Sequence, residues 1–155
     1  MYQLAQVNIA RFRAAPGDPQ VAGFVARIAE MNGLAESSEG FVWRFEGSLA
    51  AEHAPLFEEY FQPFDPELTL LNMSVWRSVE DLRRFVYASR HVELLRGKGE
   101  WMVAGERPHL AMWWVEEGAW PSVEEAAERL RGIERDGPSP FAFSFAKVFG
   151  PPGSL

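Results

Sequence analysis

The chain has 155 residues, 47% hydrophobic and 14% aromatic, which excludes general disorder and suffices for one domain with a sizeable core. Its formal net charge is −7 with dispersed basic residues, so no nucleic-acid partner is expected. Cysteine is absent, which removes disulfides, thiolate nucleophiles and cysteine-ligated metal centres, and fits a cytoplasmic setting.

No window approaches the ~20 apolar residues that span a bilayer, and the start MYQLAQVNIARF lacks the pattern of a signal peptide. No membrane partner is expected. Six Trp and twelve Phe exceed what a minimal core needs, so some should line a cavity or a subunit interface.

Residues 4–10 alternate as a half-buried strand, with Ala5, Val7 and Ile9 on one face and Gln6 and Asn8 on the other. Asp18 is a good N-cap and Pro19 suits a first helical position. Val21, Phe24, Val25, Ile28, Met31 and Ala35 then follow helical spacing, in a helix ending before Gly40. Residues 41–46, FVWRFE, read as a second strand, with Phe41, Trp43 and Phe45 on one face.

Residues 47–67 show no period and contain three prolines, so they form a long connection. Phe57, Tyr60, Phe61 and Phe64 should pack it down as a cover or lid. Residues 70–77 form a third strand, with Leu71, Met73 and Val75 opposite Asn72, Ser74 and Trp76. Ser78 and Asp81 resemble a capping box opening a helix traced by Val79, Leu82, Val86 and Ser89. A further helical piece is expected over residues 91–102.

Residues 109–115, HLAMWWV, form a fourth strand. Ser122 and Glu125 cap an appended helix near residues 122–136, stopped by Gly137 and Pro138. In the tail, residues 138–155, Phe141, Phe143 and Phe145 alternate, as in an edge or cross-subunit strand.

The order β-α-β-β-α-β within a single domain over residues 1–155 is the ferredoxin-like arrangement: an α+β antiparallel sheet with helices on one face. The apolar sheet face suits the helices. The opposite face carries Gln6, Asn8, Asn72, Ser74, Trp76 and, on the last strand, His109 and Trp113. Pairing two sheets in a homodimer would bury that face and leave a lined cavity.

The segments LAQVNIARFRA, MNGLAESSEGFVWRF, LNMSVWRSVEDLRRFVYASRHVELLR, and PHLAMWWVEEG with PSVEEAAERL span most of residues 4–131. On them the chain resembles the dimeric α/β-barrel superfamily, and more narrowly the bacterial domain-of-unknown-function 3291 family. That resemblance implies the dimeric α/β-barrel fold and no established activity. Wider relatives of this kind include cofactor-independent monooxygenases acting on polyketide quinols, and heme-degrading monooxygenases. The latter resemblance implies an Asn on the first strand, a Trp on the third and a His on the second helix; Asn8, Trp76 and His91 fill those places by element.

Histidines 53, 91 and 109 are the side chains poised near neutral pH, and no metal-binding spacing joins them. His91 is a general base or heme ligand, or else a helix-end histidine favoured by the dipole. His109 faces the cavity or satisfies a backbone carbonyl. Asn8 and Asn72 sit mid-strand, where Asn is disfavoured, so either they serve a polar site or they bond across the sheet. Trp76, Trp101, Trp113 and Trp114 more often mean core or interface than a cofactor box. Glu80, Asp81, Glu124, Glu125 and Glu128 fit helix N-termini. No hydrolase triad or phosphate loop is evident.

The sequence therefore points to a hydrophobic aromatic small molecule bound in a sheet–helix cavity. His91 would act as base, Asn8 and Asn72 would orient the substrate oxygen, and Gln6, Ser74, Trp76, His109 and Trp113 would line the site. No cofactor or metal is required on this reading of a cofactor-independent monooxygenase. Heme binding or degradation, and a non-catalytic ligand-binding or structural dimer with a self-filled cavity, are the alternatives.

Overall fold

The computed structural model describes residues 1–47, 49, 51–60, 64–89, 102–103 and 107–154. Strand β1 (Tyr2–Phe12) leads to α1 (Pro19–Glu36), β2 (Phe41–Arg44), β3 (Thr69–Trp76), α2 (Val79–Ala88), the two-residue β4 (Met102–Val103), β5 (Leu110–Glu116) and α3 (Val123–Asp136). The antiparallel sheet runs β2-β3-β1, and along the far side of β1 lie β5, beside Tyr2 to Asn8, and β4, beside Arg11 and Phe12. The fold is the α+β one expected.

The helix starts follow from short polar caps that satisfy otherwise unpaired amides. Asp18 Oδ1 accepts from Gln20 N at 2.8 Å, Ser78 Oγ from Asp81 N at 3.1 Å, and Ser122 Oγ from Glu125 N at 3.1 Å. Met102 belongs to a strand, so the helical piece expected up to that residue does not reach it. Residues 90–101, including His91 and Trp101, lie outside the described residues.

In antiparallel pairing, residues directly opposite share a face. The register pairs Leu4, Gln6 and Asn8 of β1 with Trp76, Ser74 and Asn72 of β3, and with Trp114, Met112 and Leu110 of β5. These make the amide face. Ala5, Val7 and Ile9 share the other face with Val75, Met73 and Leu71, and Ala5 pairs with Trp113.

The covers differ from expectation. Helices α1 and α2 pack over the amide face: Leu82 and Val79 of α2, with Ala35 of α1, join the cluster of Leu4, Trp76 and Met112. Val21 and Phe24 join Phe12 and Met102 farther along the sheet. The apolar face is covered by α3, through Ala126, Ala127, Leu130 and Ile133, and by Leu49, Phe57 and Tyr60 of the long connection. An all-apolar face demands a continuous dry cover, whereas an amide face tolerates helices that stand off it. Both faces are thus covered within one chain, so sheet-to-sheet pairing is not what buries the amides.

The structure bears on three local readings. A bulge between Phe41 and Trp43 puts Phe41 opposite Trp76 and Trp43 opposite Val75, so these two rings do not share a face. The connection over residues 47–67 contains two short 3₁₀ turns, Ala51–Leu56 and Pro66–Leu68, and its Phe57 and Tyr60 cover the apolar face; Phe61 lies outside the described residues. In the tail, Phe143 makes a single bridge to Met112 of the same chain, with hydrogen bonds of 2.8 and 2.9 Å.

Candidate functional site

Between the amide face and helices α1 and α2 lies a cavity of about 350 Å³. Its floor is Gln6, Asn8, Asn72, Ser74 and Trp76; α1 contributes Phe24, Ile28, Met31 and Asn32, and α2 contributes Leu82, Phe85, Val86 and Tyr87. The apolar stripe of α1 explains the space. Only Val21 and Phe24 of that helix are buried, while Ile28 and Met31 stay partly accessible because they face the cavity.

The polar floor is organised by strand pairing. Gln6 stands opposite Ser74, and its Nε2 donates to Ser74 Oγ at 2.8 Å and, diagonally, to Asn72 Oδ1 at 2.8 Å. Trp76 Nε1 donates to the same Ser74 Oγ at 2.9 Å. An indole N–H can only donate, so it fixes Ser74 as acceptor. The Trp76 ring is itself held edge-on by Phe41, with centroids 5.5 Å apart, and stacked by Phe85 at 5.1 Å.

This chain of bonds decides what remains for a ligand. Gln6 has spent both amide hydrogens, and Ser74 has spent both lone pairs. Ser74 keeps its O–H and Asn72 its amide hydrogens. The Asn8 side chain, half-buried beside them, forms no hydrogen bond to a described residue. The floor therefore offers donors set in an apolar surround, a combination that recognises an acceptor oxygen on a hydrophobic molecule.

Charge is scarce. Among the described lining residues only Arg44 is charged, and Glu36 engages it at 2.6 Å. No imidazole or carboxylate appears among the described lining residues.

Of the residues singled out from sequence, Gln6, Asn8, Asn72, Ser74 and Trp76 meet in this cavity. Trp113 does not. It lies on the opposite face, fully buried, donating from Nε1 to Glu125 Oε1 of α3 at 3.0 Å beneath the Arg129 guanidinium. The reason is strand parity: Ala5, not Gln6, is its partner on β1. His109 is exposed, is not part of the cavity lining, and accepts from Ile9 N through its backbone carbonyl at 2.9 Å. His91 lies outside the described residues.

The helix-borne half of the site went unread in the sequence. Asn32 had a usable signal, being a polar residue four positions after Ile28 on the apolar stripe of α1. Phe85 and Tyr87 of α2 had none beyond aromatic content.

A family model described as a domain of unknown function, DUF3291, matches residues 3–155. No curated protein matches the chain. Among solved structures, the chain is similar to the NE2512 protein of unknown function from Nitrosomonas europaea, with a TM-score of 0.51 and 16% identity over 79% of this chain and 97% of that one. It is also similar to SnoaB, a cofactor-independent oxygenase from Streptomyces nogalater, with a TM-score of 0.50 and 15% identity over 79% of this chain and all of that one. At such identity the likeness concerns the fold alone.

Proposed function

The chain belongs to the DUF3291 family, and from that premise we propose that its cavity binds a hydrophobic aromatic molecule through an acceptor oxygen on that molecule. One observation carries this reading: the Gln6–Asn72–Ser74–Trp76 chain leaves donors facing an apolar cavity. A cavity not filled by its own side chains disfavours the purely structural alternative.

The finer proposal is oxygenation without a cofactor. Loss of a proton from an activated ring CH₂ leaves an electron-rich anion whose charge rests on the ligand oxygen. Ser74 O–H and the Asn72 amide stabilise that charge where it develops. The anion reduces O₂, one oxygen atom enters as C=O, and the two hydrogens leave with the other as water. No external reductant is needed. The described lining holds no base, so the first proton falls to a group outside it, for which the sequence supplies His91. The heme alternative rests on that same histidine and has no imidazole among the described lining residues to support it. Among the described residues no helix is long and apolar enough to cross a membrane.

An oxygen electrode tests the proposal with a panel of aromatic ketones bearing an activated CH₂ and of aromatic hydroquinones. Protein-dependent oxygen uptake that falls in His91→Ala and Ser74→Ala supports it. Binding without uptake across the panel reduces the protein to a ligand-binding module.

A further inference from the structure

We infer, on the strength of the ligand site proposed above, that Arg44 binds an anionic oxygen there, so that the ligand is held as a phenolate or enolate. Strand pairing sets the position. Arg44 of β2 stands opposite Ser74 of β3, which stands opposite Gln6 of β1. Residues directly opposite share a face, so a cation joins the row of hydroxyl and amide on the cavity floor. Arg44 lines the cavity, and among the described lining residues it alone carries a charge. A guanidinium keeps that charge throughout the range in which phenols ionise.

Two carboxylates face the guanidinium: Glu36, the last residue of α1, and Glu46, just beyond β2. Glu36 Oε1 takes the Nε hydrogen at 2.6 Å, which orients the fork. The terminal nitrogens have only long contacts, 3.5 Å from Nη1 to the Phe45 carbonyl and 3.6 Å from Nη2 to Glu46 Oε1. Contacts of that length yield to a better acceptor. The Arg44 side chain is 24% exposed, against 46% for Glu36 and 77% for Glu46. Water therefore screens the two carboxylates more than it screens the cation, and the balance inside the cavity favours an anion.

An oxygen acid bound beside such a cation ionises more readily. Its O–H bond breaks, the electron pair stays on oxygen, and the proton passes to water. The class selected is the phenol or enolisable aromatic ketone, in preference to ethers and hydrocarbons of the same shape.

Hydroxyfluorenone, whose phenolate absorbs at longer wavelength than its phenol, tests this by spectrophotometric titration. Binding to the native protein should lower the midpoint of its ionisation by about one pH unit or more. Arg44→Gln should return the midpoint to that of the free probe or above it. Glu36→Gln, which removes the partly neutralising carboxylate, should lower it further. A merely structural ion pair predicts that the two substitutions act alike, and that result overturns the inference. So does bound probe whose midpoint is unshifted in the native protein. Should Arg44→Gln unfold, Glu36→Gln decides: a lower midpoint supports the inference and an unchanged one overturns it. Failure of the ligand site itself looks different, because neither hydroxyfluorenone nor fluorenone would then bind the native protein, and both readings would fall together.

Discussion

Gln6 and Ser74 stand opposite each other on neighbouring strands, and one hydrogen of the Gln6 amide is committed to the Ser74 hydroxyl at 2.8 Å. The pair couples the sheet to the candidate site, because the same hydroxyl receives the Trp76 indole and the same amide holds Asn72. Ligand recognition and local stability thus share one set of atoms.

Ser74→Ala should consequently destabilise the fold. It strips the acceptor from a buried indole N–H and from a buried amide, and leaving such donors unpaired costs about 1–3 kcal/mol. Urea unfolding reads this directly. Ser74→Thr, which keeps the hydroxyl, should lose less.

Gly40 has φ +85°, and a Cβ there would lie 2.2 Å from the Asp81 carboxyl carbon that helps start α2. Gly40→Ala should cost about 1–3 kcal/mol for the backbone alone, with further loss as the cap is displaced. Thermal unfolding by circular dichroism checks it.

Leu130→Ala should cost about 2–5 kcal/mol, since Leu130 is fully buried where α3 meets the apolar sheet face. Phe85→Ala, on the cavity side, should cost less. Phe85 is only partly buried there, and it lines space that already exists.

Burial, with Glu134 adding to it and Arg107 opposing, pushes the Tyr60 phenol from its ordinary 10.0 up to about 12. Its hydroxyl makes no hydrogen bond to a described residue. The folded state therefore holds the phenolic proton more tightly than the unfolded state does. This contribution is fully present below pH 10 and is lost as pH rises from about 10 to 12. Tyr60→Phe should flatten that alkaline decline, as measured by unfolding midpoints at a series of pH values.

Much of the fold was legible because its signals are local. Asp18, Ser78 and Ser122 announce three helices through their caps, and alternation in β1 and β3 sorts amides from aliphatics. What sequence could not supply was the third dimension. In β5 every residue from Leu110 to Val115 is apolar, so alternation is silent, and only pairing with β1 shows that Met112 and Trp114 face the amides while Trp113 faces α3. The bulge in β2 defeats alternation in the same way, because one extra residue flips Trp43 to the other face. The choice of which helices cover which face is equally non-local. It depends on whether helices meet a dry surface or stand off a polar one, and the polar floor was found without its roof.

Calorimetric titration of a matched pair of flat tricyclic probes, fluorenone and its parent hydrocarbon fluorene, tests the central claim most directly. The two differ by one acceptor oxygen. With donors worth about 0.5–1.5 kcal/mol each, fluorenone should bind roughly tenfold more tightly, and Asn72→Asp, which keeps the acceptor for Gln6 but removes the free amide hydrogens, should shrink the difference while leaving fluorene little changed. Equal affinity for the two probes in the native protein, or a preference for fluorenone undiminished in Asn72→Asp, would contradict the account.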